Sequence, residues 1–186
     1  MVQHFPLRCV AVALTALLAL LPAICLAEPT AEEKKVASDY LRGVQEARLK
    51  LRDAAFAMGK TIGPLVQELK DIDVAETEAR YADVKVALGD VKKSMAARPV
   101  PAGESGAAID KAWKAFAKVQ TRVIEIEMAS VIAVLDDRDL NNEGKKAQIL
   151  KLIDRILAKE KKDSEALAAA QDALQAAFGL AAEAPK

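Results

Sequence analysis

Gln120 and Glu127 are the side chains of this chain best placed to do chemistry. They stand one heptad apart in a long helical stretch, in line with Trp113 and Val134, in the middle of its apolar face. The polar face of the same stretch is Lys111, Lys114, Lys118, Arg122 and Glu125. A lone carboxylate is costly to bury, so Glu127 needs a cation, a hydrogen-bond network, a bound proton or an opening to water. One reading makes Gln120 and Glu127 a polar ligand-binding site for an ion or small cationic ligand, with Trp113 as its aromatic wall. The plainer reading, which the pattern favours, makes them a pair that fixes helix register, with Arg48 or Arg52 as the partner cation.

Little other chemistry is on offer. The only histidine, His4, and both cysteines, Cys9 and Cys25, lie in the first 27 residues. Those residues have the layout of a secretory signal peptide. Arg8 precedes an unbroken apolar run from Cys9 to Leu21, Pro22 breaks it, and Cys25-Leu26-Ala27 offers small residues before the polar sequence that starts at Glu28. Cleavage after Ala27 is expected. An uncleaved anchor would give the only membrane contact, and lipidation at Cys25 fits poorly with Ile24 beside it. The expected mature chain then has neither thiol nor imidazole. That excludes disulfides, ordinary zinc sites, thiolate-held clusters and covalent c-type haem. It also excludes Ser-His-Asp and Cys-His nucleophiles. No serine of the mature chain has a lysine three residues on, so Ser-x-x-Lys is absent too.

Weaker constellations fall away on inspection. Asp137-Arg138-Asp139-Leu140-Asn141 resembles the start of an EF-hand loop, but Asn142, Gly144 and Gln148 occupy its glycine, apolar and bidentate-acid positions. Met58, Met95 and Met128 read as core fillers, since Met/His haem ligation needs a histidine. Lys145, Lys146, Lys151, Lys159, Lys161 and Lys162 are diluted by Asp154, Glu160 and Asp163 into a solvated face. The chain has 27 Lys+Arg and 27 Asp+Glu. Without Arg8 the balance is one acid in excess, which leaves no footprint for nucleic acid. No metal, no cofactor and no enzymatic activity are expected.

The elements that must position these residues are helices. The chain is rich in Ala, Lys, Glu, Leu and Val, and no segment alternates long enough for a strand. A first helix is predicted from Thr30 to Met58, with Val36, Tyr40, Val44, Ala47, Leu51, Ala54 and Met58 inward. Gly59 to Pro64 is expected to break it, leaving a short helical piece over Leu65–Leu69. Asp73 and Glu76 read as the start of a second helix, with Thr77, Tyr81, Val84, Leu88, Val91 and Met95 inward. Arg98 to Gly106, with two prolines and two glycines, reads as the linker. A third helix is expected from Ala107 to Asp137. A fourth starts near Lys145 with Ile149, Leu150, Ile153, Ile156 and Leu157 inward, and Lys161–Ser164 is a candidate kink. Its alanines 166, 170, 173 and 177 form a stripe suited to close helix approach.

The sequence therefore predicts an all-α protein: a leader over residues 1–27, then one domain over 28–186. That domain is an antiparallel up-down four-helix bundle with coiled-coil seams, made of hairpins 30–97 and 107–182 joined by linker 98–106. Val123 to Leu135 is apolar nearly all round. It reads either as a helix central to the bundle or as a partner or homo-oligomer interface built from Ile124, Met128, Val131, Ile132 and Leu135. The expected function is that of an exported, periplasmic or extracellular, non-catalytic bundle acting through protein contacts, as an adaptor, chaperone-like or envelope structural protein. The alternative is a small-ligand or ion-binding bundle.

Overall fold

The computed structural model describes residues 28–181. The expected leader, with its cleavage site and Cys25, lies outside those residues. Within them the chain is an all-helical bundle with no strand. Its elements are α1 (Ala31–Glu68), α2 (Val74–Ala96), α3 (Gly103–Arg122), a π-helical segment (Val123–Met128), α4 (Ala129–Asp136) and α5 (Asn142–Phe178). α3, the π segment and α4 follow one another without a gap and occupy the place of the predicted third helix. Among the described residues no helix is long and apolar enough to cross a membrane.

Side-chain caps start three of the helices. Thr30 and Glu33 form a reciprocal capping box at α1, with the Glu33 carboxylate accepting from the Thr30 N–H at 2.8 Å. Asp73 caps α2 by accepting from the Glu76 N–H at 3.2 Å. Asn141 caps α5 by accepting from the Gly144 N–H at 2.9 Å.

α1 does not break at Gly59–Pro64 as expected; it runs through to Glu68 with Pro64 inside it. The apolar seam explains why. Met58, Ile62 and Leu65 continue the spacing of Val44, Ala47 and Leu51, and all are buried. Burying one more turn outweighs a missing hydrogen bond near the helix end, where Pro64 faces solvent. The residue before the proline is Gly63, which has no Cβ to meet the ring. The helix stops at Leu69, a left-handed residue with φ 57°.

α3 begins at Gly103, earlier than the predicted Ala107. Gly106 allows it: a Cβ there would fall 1.8 Å from the Pro101 carbonyl oxygen, so only glycine lets the linker lie against the first turn. α5 passes through Lys161–Ser164 without interruption, because nothing in that stretch breaks a helix and Leu167 resumes the buried face.

One apolar core draws on every helix, from Tyr40, Val44 and Leu65 to Val84, Ile109, Ile124, Leu135, Ile149, Leu167 and Leu174. α1 packs chiefly on α2, and α3 on α5; α1 against α5 and α2 against α4 join the two halves. α2 and α3 touch only lightly, and a groove lies between them. The inward face of α5 differs from the expected one. Ile149 and Leu152 are buried, but Leu150, Ile153 and Leu157 are 40, 37 and 60% exposed. The seam is carried by residues 149, 152, 156 and 167, and the other three stand on the outer side. The alanine stripe is likewise mostly exposed at 166, 173 and 177, so it does not mediate a close helix approach within the chain.

Candidate functional site

The structure keeps Gln120 and Glu127 together against α5 and places Trp113 apart from them. Glu127 lies in the π segment and is 4% exposed. Its partner is Lys159 of α5, which donates to Glu127 Oε1. Gln120, one heptad earlier, is also buried, and its amide donates to Glu160 of α5 at 2.8 Å. The partner cation is thus neither Arg48 nor Arg52. Arg48 donates to Gln171 at 3.3 Å and Arg52 to its neighbour Asp53 at 2.8 Å. Position on the helix decides this: the face carrying 120 and 127 is turned to α5, while Arg48 and Arg52 belong to α1.

The polar centre is therefore two adjacent α5 side chains, Lys159 and Glu160, meeting two side chains one heptad apart. Sequence reasoning did not find this pair. A signal was present: the large apolar residues of the last helix stop at Leu157 and resume at Leu167. That gap sits opposite the polar positions of its neighbour. Glu127 is thus paired and Gln120 bonded across two helices, the arrangement expected of a polar lock between them.

The π segment has its own anchor. An i→i+5 turn leaves backbone carbonyls poorly satisfied where it returns to α geometry. Tyr81 of α2 supplies one donor, its hydroxyl reaching the Ile124 carbonyl at 3.1 Å. Burial, aided by the nearby Glu125 carboxylate, pushes the Tyr81 phenol up from its ordinary range.

The interface expected along Val123–Leu135 is not on the surface. Ile124, Val131 and Leu135 are buried in the chain's own core, and Met128 and Ile132 are half-buried against it. The stretch is apolar nearly all round, and it is covered from α2 and α5 together. Only Ile126 among its large apolar side chains stands out, at 48% exposure.

Trp113 belongs elsewhere. Its ring packs on Phe116 with centroids 5.7 Å apart, and one edge lines the groove between α2 and α3. The groove encloses about 590 Å³, within the usual range of ligand clefts. Met95, Ala117 and Ile126 share its lining with Trp113, and Lys92, Lys118 and Arg122 stand along it. A second, polar recess of about 550 Å³ lies between the end of α1 and the start of α2.

A third polar cluster joins α1 to α3. Tyr40 donates to Asp110 at 3.2 Å, and Lys114 braces the same carboxylate at 2.6 Å. Among the described residues no group of three or more His, Cys, Asp or Glu could hold a metal ion. Compared with protein-family models, with curated proteins and with solved structures, the chain matches none.

Proposed function

We propose that this is an exported, non-catalytic protein, an antiparallel up-down bundle of two hairpins. It acts through contacts with another protein, in an adaptor, chaperone-like or envelope structural role. The observation that supports this is the outer row of α5. Leu150, Ile153 and Leu157 follow one another at spacings of three and four, so they share one side of the helix, and all are exposed. Apolar anchors at such spacing are what an amphipathic partner helix reads. At roughly 25 cal/mol per Å² of apolar surface covered, a partner seated there gains several kcal/mol. The antiparallel reading draws on pairings such as Lys50 with Asp90 and Arg98 with Glu46 between α1 and the region of α2.

A photo-crosslinking residue placed at Leu157 in producing cells tests the partner, with light scattering of the purified chain alongside. The expected result is one discrete adduct that Leu150→Glu removes, or a mass that rises with concentration and is restored to monomer by Leu157→Glu. A strict monomer with no adduct specific to position 157 overturns the reading. The mass of the exported form, expected to begin at Glu28, tests the compartment.

A further inference from the structure

The groove between α2 and α3 combines an apolar floor with an unneutralised positive rim. Met95, Trp113 and Ala117 are nearly buried and present only edges to it, and Ile126 extends the floor at its far end. Two of its charged residues are already committed to each other: Lys114 is paired with Asp110, which also accepts the Tyr40 hydroxyl. Lys92 on one lip and Lys118 and Arg122 on the other form no ion pair among the described residues. One acid, Glu125, stands against these three cations. Along α3 and the π segment the lining runs from Asp110 to Ile126, about 24 Å at roughly 1.5 Å per residue. The groove is thus long, oily below and positive above.

We propose that it binds a single-chain anionic amphiphile, a long-chain carboxylate of the fatty-acid type. The chain lies on Met95, Trp113, Ala117 and Ile126, and the head group sits against Lys92, Lys118 and Arg122. A small hydrophilic anion leaves the floor uncovered, and a cationic amphiphile meets three like charges. The volume suits one chain, which sets a free monomer apart from the two-chain lipid of a bilayer. The site lies on a different face from the α5 row and stands without it.

Trp113 is the only tryptophan, so its emission reports on the groove directly. The mature chain is titrated with laurate and, separately, with dodecyltrimethylammonium, which has the same tail and the opposite charge. Anionic phospholipid vesicles form a third arm. The expected result is a saturable emission change and a raised Tm with laurate, at least tenfold weaker with the cation and absent with vesicles. Lys118→Glu and Arg122→Glu alter exposed positions that the fold does not use, and each weakens laurate at least tenfold. Ala117→Phe fills the groove and removes the response, with helicity checked by circular dichroism. Equal responses to both tails mean detergent partitioning and overturn the proposal. So does a response confined to vesicles, an unmoved Trp113, or self-association that Lys118→Glu abolishes, which would make the groove a protein interface.

Discussion

Glu127 and Lys159 form an asymmetric pair, and the asymmetry sets what each substitution costs. The carboxylate is almost wholly buried, whereas the lysine side chain remains 38% exposed. Lys159→Ala leaves a charge in an apolar seam with no cation beside it. Breaking a fully buried pair this way costs about 3–5 kcal/mol; the access of water to Lys159 reduces that to about 2 kcal/mol here. Glu127→Met removes the charge and keeps the volume, so stability stays within about 1 kcal/mol of the parent or rises. Urea unfolding at neutral pH checks both. Equal losses in the two variants would show that the pair contributes net attraction rather than a registry constraint. The sequence pattern located Gln120 and Glu127 in the buried face correctly, because a helical wheel reports which side is apolar. It could not name their partners, because which helix faces which is a property of tertiary packing and not of any single stripe.

At the scale of the element, α1 offers two glycines with opposite expectations. Gly59 is exposed, and a Cβ there meets nothing within 4 Å. Gly59→Ala therefore stabilises the helix by about 0.5–1 kcal/mol, the ordinary difference in helix propensity. Gly43 is buried under Arg98, and a Cβ there would lie 2.3 Å from the Arg98 Nε. Arg98 has little freedom to retreat. Its guanidinium donates to the Asp39 carbonyl at 2.7 Å and to Glu46 at 2.8 Å, which ties the chain after α2 back onto α1. Gly43→Ala is expected to cost about 1–3 kcal/mol despite the better propensity of alanine. Thermal melts of the two variants check the pair; a Gly43→Ala chain that melts higher would mean that this clamp does not hold. The same helix shows what can be read from local signals. Thr30, Asp73 and the seam from Tyr40 to Met58 gave helix starts and inward faces. Gly59 and Pro64 pointed to a break that the continuing seam of Ile62 and Leu65 overrides. The π segment left no trace at all, since Val123, Glu127, Val131 and Leu135 fit an ordinary α stripe equally well. On α5 the apolar residues were so numerous that periodicity alone could not choose between Leu152 and its neighbours Leu150 and Ile153.

For the whole molecule, the joint between the two halves carries a pH dependence. Tyr40 of α1 is buried and donates to Asp110 of α3, so the contact spans sequence-distant halves of the bundle. Burial foremost, then the negative charge of Asp110 and the hydrogen bond to it, raise the Tyr40 phenol far above its ordinary value of about 10. The folded chain thus keeps a proton that the unfolded chain has already released. Stability from this group is complete below about pH 10 and is lost as the pH climbs past it toward the folded value. The slope for one such group is about 1.4 kcal/mol per pH unit. Lysines also titrate in that range, so the comparison that isolates Tyr40 is between the parent and Tyr40→Phe. At neutral pH the variant loses about 1 kcal/mol for the missing hydrogen bond. Denaturant melts between about pH 8 and 11 should show the parent declining and Tyr40→Phe declining much less, so that the two curves converge in alkali. Parallel curves would mean that Tyr40 ionises freely in the folded chain. The contact between α1 and α3 would then rest on the apolar packing around Tyr40.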